Sequence, residues 1–547
     1  MAIKKQKEKV NNKNKKNNTK VIFVTGGVIS GIGKGITAAS IGNILKARGY
    51  KIFMQKLDCY LNIDPGVLSP YEHGEVYVTE DGGETDLDLG HYERFIDETL
   101  TKESNYTTGK IYQRIFENER KGKYDGKTVQ MVPHFTNEII NVIDSTISKN
   151  KPDFLIVEIG GTIGDIESSP FIKAISEYGF KNPQSSYFVH VTYVPWINAS
   201  KEFKTKPTQN SISLLSSSGI NPNMILLRSQ NQINDDIIDK ISNLSYIKRD
   251  CVISLYDFDS VYKIPLYLES QGVCTRILEH FSIKPKKSNL TEWEEFVNKL
   301  ENNEKKNINI AMVGKYIELE DAYKSIKEAL FISGVYENAN IKFDWISSDG
   351  IDEKNVSLKL RDADGVVVLP GFGKRGFEGK VATVNYTRKN KIPTLGICFG
   401  MQAMTINQAR LKGIKDATSS EISDKGTFIL DIIEGKDREN IGGTLRLGSD
   451  GVILKENSLI KKIYGQSKIF ERSRHRYEVN PKYVPKIEDK EFKFSGFNEE
   501  NKLIEVCELD NHPFYVGVQY HPEFNAKPLR PSKLFTAFIK SVLLKVN

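Results

Sequence analysis

The chain has 547 residues, 39% of them hydrophobic, with five cysteines and a formal net charge of +7. That length allows several domains of about 150 residues each, and no run of about 18 apolar residues offers a membrane span. The charge does not point to nucleic acid, because residues 1–20 hold eight lysines and one glutamate while the remainder balances at 69 basic and 69 acidic residues. Any nucleotide must therefore be held by local sites and not by a global field.

Residues 1–20 read as a Lys/Asn-rich tail with too little apolar content to fold. The tail has no apolar segment of signal-peptide type, so the expected location is cytoplasmic, with neither a membrane nor a nucleic-acid partner. Cys59, Cys251, Cys274, Cys398 and Cys507 lack paired spacing, which suits free thiols, one of which can be catalytic.

Val21–Val24 is a short apolar run entering the turn Thr25-Gly26-Gly27-Val28-Ile29-Ser30-Gly31-Ile32-Gly33-Lys34-Gly35, and a helix pattern with Ala38, Ile41, Ile44 and Leu45 on one side follows. Free backbone N–H groups and a helix dipole at such a turn make an anion site. The glycine spacing is one residue longer than the strict phosphate-loop pattern, and Gly35 stands where a hydroxyl residue would hold magnesium. On local pattern alone, phosphate binding and a tight structural turn both remain open. Magnesium on such phosphates would need carboxylates. Glu158 closes the apolar run Phe154–Ile159, Asp88 lies in the acidic stretch 79–88, and Lys56 sits near the end of the strand Lys51–Leu57. Ligands gather at strand C-terminal ends in open α/β sheets. Further apolar runs at Tyr187–Val194, Met224–Leu227 and Val252–Leu255 alternate with helix-like stretches, as parallel βαβ units do.

The text changes near Lys284. Residues 284–306 read as a linker around a helix-like piece at Trp293, and a second β/α series starts at Ile308. The reading is thus an α/β protein of two domains, 21–283 and 307–547, each a mostly parallel sheet flanked by helices. In the second, Thr394-Leu395-Gly396-Ile397-Cys398-Phe399-Gly400-Met401-Gln402 is a cysteine version of the nucleophile elbow. A helix starting there favours a thiolate. His521-Pro522-Glu523 offers a base and a group to orient it, since residues i and i+2 of an extended segment share a face.

The blocks Thr25 to Gly35, Lys56-Leu57-Asp58, His73-Gly74-Glu75-Val76, Thr79 to Arg94, Val157 to Thr162, Gly164 to Ser168 and Lys204-Thr205-Lys206-Pro207-Thr208-Gln209 resemble the synthase (amidoligase) domain of the CTP synthase family. Their order and spacing match, and the likeness runs from Val21 to about Phe538. The Cys398 elbow with His521 and Glu523 is similar to class I glutamine amidotransferases. The resemblance implies a glutamine-dependent ligase that turns UTP into CTP with ATP, through a 4-phosphorylated UTP. It implies ATP at Gly31, Ile32, Gly33, Lys34, Gly35, Ile36, Lys56, Asp88, Tyr256, Asp257 and Phe258, and Mg²⁺ on Asp88 and Glu158. UTP or the inhibitor CTP would meet Ser30, Asp165, Ile166, Glu167, Lys204, Thr205, Lys206, Pro207, Thr208, Gln209 and Lys240. Glutamine would meet Gly371, Phe399, Gly400, Met401, Gln402, Glu421 and Arg476, with Gly371 and Phe399 as oxyanion donors.

The same resemblance places His73 at an ammonia exit, against a reading as a structural histidine. It also makes Gly442-Gly443-Thr444-Leu445-Arg446-Leu447-Gly448 a lid ordered by the activator GTP, and implies a homotetramer compatible with filaments. The chain departs from the family at Leu369-Pro370-Gly371-Phe372-Gly373, which has one glycine fewer than usual. Rival readings are an amidoligase for a corrin or biotin precursor, a partitioning-type ATPase, and a stand-alone glutaminase. The Lys204–Gln209 block argues against the first, the absence of an early loop lysine against the second, and the unused first 285 residues against the third.

Overall fold

A computed structural model describes residues 18–432, 445–500 and 502–546. Most of the lysine-rich tail and Gly442–Thr444 of the lid-like segment lie outside the described residues. Among those described, no helix is long and apolar enough to cross a membrane. The chain divides into two compact units: residues up to Ile63 with Glu103–Leu290, and Asp64–Lys102 with the chain from Thr291 onward.

The first unit is built on a seven-stranded sheet. Named by first residue, its strands run in the order Val252, Met224, Ser186, Lys20, Phe154, Ile52, Asn105. Every pairing is parallel. Parallel neighbours need crossovers, which here are largely helices covering the faces. The interior strands Ile52–Asp58 and Phe154–Ile159 are accordingly buried at every residue. Their common direction brings Gly26, Asp58, Glu158, Arg228 and Tyr256 to one edge of the sheet, the edge expected to hold ligand.

The second unit carries a nine-stranded sheet in the order Ala339, Lys306, Gly365, Thr394, Tyr515, Ile504, Phe492, Arg446, Lys468. Its first five strands are parallel, and the remaining four extend the sheet in antiparallel fashion. Chain connectivity explains the change of sense. The strands Ile504–Leu509 and Tyr515–Val518 are joined by a tight loop, too short for a crossover helix.

Residues 64–102, which sequence adjacency puts with the first domain, pack with the second unit. Their polar groups find partners there. Arg472 is 2% exposed and ties Glu93 (2.8 Å), the Tyr77 hydroxyl (2.9 Å) and the Val78 carbonyl (3.0 Å). Arg474 pairs with Glu84 at 2.9 Å, Ser325 donates from N–H and hydroxyl to Glu75, and Arg530 pairs with Asp97. The middle of the expected linker is a helix, Thr291–Glu301, whose Trp293 and Phe296 are buried; the Trp293 ring lies 5.4 Å from that of Phe95. Removing one partner of a buried pair leaves an uncompensated charge and costs about 3–5 kcal/mol. Glu93→Ala is therefore expected to destabilise the second unit by that amount, read as a lowered midpoint of its denaturant unfolding.

Candidate active sites

In the first unit the glycine-rich turn joins the strand Lys20–Gly26 to the helix Lys34–Lys46. Gly31 (φ +68°), Gly33 (φ +92°) and Val28 (φ +81°) take left-handed backbone. That conformation is unfavourable for a β-branched valine and marks stored strain at the turn. Lys34 folds back over the turn, where a Cβ on Gly26 would meet its side chain at 2.6 Å, and its Nζ donates to the Gly161 carbonyl at 2.8 Å. Lys56 lies 3.4 Å from Glu158 and 3.6 Å from Asp58, all three being buried. A phosphate group entering this edge would meet two ammonium groups and the amides of the turn.

The residues of the nucleotide expectations fall around the same unit in different settings. Tyr256 and Phe258 stack at 4.5 Å, a flat apolar surface suited to a base. Thr205 precedes the helix Lys206–Ser217, and Pro207 stands at its first turn. Thr208 is buried and donates to the Tyr193 carbonyl, while Gln209 donates to Thr205. Lys204, Lys206 and Lys240 are exposed, as are Ser30 and Asp165–Glu167. Of the two expected metal ligands, Glu158 is buried at the end of its strand, whereas Asp88 opens the helix Asp88–Ile96 in the second unit. Glu158, a hard oxygen donor beside the turn, suits Mg²⁺.

Two residues of this unit were not singled out from sequence. Arg228 ends its strand with hydrogen bonds to the carbonyls of Leu255 and Tyr256, both at 3.0 Å, and an ion pair to Asp257 at 2.6 Å. Its Nε would lie 3.7 Å from a Cβ on Gly33, so a guanidinium stands beside the turn. His190 is buried between Thr25 (2.9 Å) and Ser211 (2.8 Å), and burial pushes its proton affinity down to about 3. This neutral imidazole ties the entry to the turn to the helix that begins at Lys206. Inside an apolar strand a lone histidine or arginine carries no motif, and only the parallel register brings these two to the turn.

In the second unit the strand Thr394–Ile397 passes through Cys398 into the helix Phe399–Leu411. Cys398 has φ +51° and ψ −102°, the strained turn of a nucleophile elbow. Both flanking glycines are required sterically. A Cβ on Gly400 would lie 2.2 Å from the Val368 carbonyl oxygen, and one on Gly396 would lie 2.9 Å from Gly400. His521 Nδ1 and Glu523 Oε1 are 2.7 Å apart, and both side chains are buried. Burial disfavours the His521 charge, but the Glu523 carboxylate and the nearby Cys398 sulfur outweigh it and raise its proton affinity to about 10. The imidazole thus carries its second proton across the neutral range.

Cys398, His521 and Glu523 line a cavity of about 400 Å³ together with Gly371, Glu421 and Arg476. Glu421 accepts from the Gly373 amide at 2.6 Å, and burial raises its proton affinity. Phe399, Gly400, Met401 and Gln402 form the first turn of the elbow helix. Met401 packs in the apolar core, and Gln402 donates to the Tyr477 carbonyl at 3.1 Å. Gln519, not foreseen from sequence, donates to the Cys398 sulfur at 3.6 Å. His73 lies 3.6 Å from Asp86, while its neighbours Gly74 and Glu75 line the cavity. Burial raises Glu75 to about 7, against the hydrogen bonds from Ser325.

Comparison with known proteins gives two family matches: CTP synthase N-terminus over residues 20–283, and glutamine amidotransferase class-I over residues 318–541. A CTP synthase of Mycoplasmopsis pulmonis is 57% identical over 97% of this chain and 99% of its own length. One from Mycoplasma capricolum is 49% identical, covering 96% of this chain and 99% of the relative. One from Shouchella clausii is 46% identical with the same coverage, 96% and 99%.

The Glu523–His521 contact sets a pH dependence. A proton affinity near 10 means that the imidazolium is lost only as pH rises through about 10. Glutamine hydrolysis should fall on that alkaline limb. Glu523→Gln removes the leading contribution that raises His521, so the limb should move to lower pH, as followed by kcat/KM against pH.

Proposed function

This chain belongs to the CTP synthase family, and on that premise we propose how its two sites share one reaction. The protein is a glutamine-dependent ligase that aminates UTP to CTP. In our reading the turn at Gly31–Ile36 holds the ATP phosphates, with Lys34 over the transferred group and Tyr256–Phe258 beside the adenine. Lys204–Gln209, Ser30 and Lys240 hold the UTP triphosphate, and the product CTP competes there through Asp165–Glu167. Mg²⁺ on Glu158, with Asp88 as the other carboxylate the resemblance suggests, would neutralise phosphate charge when bound.

ATP phosphorylates O4 of UTP, converting a poor leaving oxygen into a phosphate. Transfer of this kind depends on positioning and on cations over the moving charge, which Lys34 supplies and Arg228 is placed to reinforce. At the second site the Cys398 thiolate attacks the amide carbon of glutamine, and its carbonyl oxygen becomes an oxyanion. His521 gives its proton to the amide nitrogen, the C–N bond breaks and ammonia leaves. His521 then takes a proton from water as that water cleaves the thioester to glutamate. Arg476 suits the glutamine carboxylate and Glu421 its amino group. Ammonia adds at C4 of the phosphorylated UTP and displaces phosphate.

The observation that carries the reading is the strained Cys398 elbow beside the His521–Glu523 pair, in a chain that also has a lysine-bearing phosphate turn. We further propose activation by GTP, assembly as a homotetramer that can form filaments, and a cytoplasmic location; these rest on the family resemblance. Cys398→Ala should abolish CTP formation from glutamine yet retain it from added ammonium, and Lys34→Ala should lose both. Assays of CTP with each nitrogen source decide the matter. Glutamine use by the Cys398→Ala enzyme would refute the elbow assignment.

A further inference from the structure

Behind the loop Leu369–Gly373 stand two buried lysines to which the reaction above gives no part. Lys380, in the helix Phe377–Lys389, is 0% exposed and donates to the carbonyl oxygens of Leu369 and of Pro370, the latter at 3.3 Å. Lys315, 3% exposed, donates to the carbonyls of Phe372 and Gly373, the latter at 3.1 Å. Four of the five carbonyls in the loop are thus held by ammonium groups. Both cations also lie over the ring of Phe399, Lys380 at 5.0 Å and Lys315 at 5.5 Å. Neither is among the residues that line the cavity.

This arrangement has a consequence for direction. A peptide unit is planar and its N–H points opposite to its C=O. The Pro370 carbonyl and the Gly371 amide belong to one such unit, so an ammonium that holds the carbonyl at the back of the loop turns the N–H to the front. Gly371 lines the cavity on that front side, with Cys398. The other expected donor, the Phe399 amide, belongs to the residue whose ring the same ammonium covers. Burial makes both cations expensive. Burial above all, and then repulsion from Lys315, brings the proton affinity of Lys380 down to about 7, and burial brings Lys315 to about 8. An apolar side chain would fill the space at less cost. The loop has proline at 370 in place of a second glycine, so part of its path is already restricted.

We propose that Lys380 is a positioning residue for the oxyanion hole: it holds the Leu369–Pro370 carbonyls and the Phe399 ring so that the Gly371 and Phe399 amides converge on one point beside Cys398. The proposal rests on the glutaminase reading given above. It assigns Lys380 no contact with substrate, and Lys315 holds the far end of the same loop.

Lys380→Met tests it. Loss of an oxyanion donor lowers kcat by about 10²–10³-fold. The variant should lose glutamine hydrolysis by about that factor in kcat, with the KM for glutamine changed by less than about twofold. Alkylation of Cys398 by iodoacetamide needs no oxyanion hole and should proceed at the wild-type rate. Ammonium-dependent CTP formation should also be retained, showing that the variant is folded. Glutamate γ-semialdehyde, which adds to the thiol as a tetrahedral oxyanion, should bind more weakly by a factor similar to the loss in kcat. Lys380→Gln, which keeps an uncharged NH₂ donor, should lie between methionine and wild type. A kcat within about threefold of wild type would overturn the proposal, as would a lowered kcat with unchanged aldehyde binding. Parallel loss of alkylation, aldehyde binding and ammonium-dependent synthesis would also overturn it, by showing a merely structural lysine. If the wild-type enzyme itself hydrolyses no glutamine, the fault lies in the underlying reading and not in the role of Lys380.

Discussion

The guanidinium of Arg472 is buried where a charge without partners would cost several kcal/mol, and its geometry is therefore fixed by the groups that satisfy it. Those groups are Glu93, Tyr77 and the Val78 carbonyl, all in the segment 64–102. The same residue accepts at its own carbonyl from the His521 amide at 2.8 Å. One buried residue thus fastens the inserted segment to the strand that also supports the His521 backbone. Gly74, Glu75 and Val76 of that segment line the cavity around Cys398, so the wall facing the thiol depends on this attachment. Arg474 repeats the device two residues on, binding Glu84 and the Gly66 carbonyl.

The two sites manage charge in contrasting ways. At the glycine-rich turn the cations Lys34 and Lys56 already have oxygen partners, from the Gly161 carbonyl and from Asp58 and Glu158. A phosphate can replace such partners without leaving a bare ammonium in a low-dielectric setting. At the thiol the balance is local, between His521 and Glu523, with the lysines withdrawn behind the loop. Both places also hold a non-glycine residue at positive φ, the β-branched Val28 (φ +81°) and Cys398 (φ +51°).

Much of this was legible in the sequence because it depends on local spacing. The turn from Thr25 to Gly35, the elbow around Cys398 and the His521-Pro522-Glu523 triplet each fall within a dozen residues, and glycine at fixed positions announces a backbone that other residues cannot adopt. Alternating β and α patterns likewise made the parallel sheets predictable, since a parallel pair requires a crossover. The antiparallel extension of the second sheet was harder to foresee, because strands such as Arg446–Leu454 and Lys468–His475 mix charged and apolar residues and offer no apolar run.

By itself, then, the sequence determined the two halves, the elbow at Cys398, the His521-Pro522-Glu523 triplet, the glycine-rich turn and the family resemblance. Tertiary structure alone decided which distant side chains complete them. Arg228 and His190 reach the turn only through parallel register, and Gln519 reaches Cys398 only because the strands Thr394–Ile397 and Tyr515–Val518 pair. Residues 64–102 join the second unit because their buried charges find counter-charges there and not beside their neighbours in the chain. Nothing in the local sequence singles out Lys315 or Lys380. They become the supports of one loop because the fold buries them against four backbone carbonyls that need donors, a demand that no local pattern expresses.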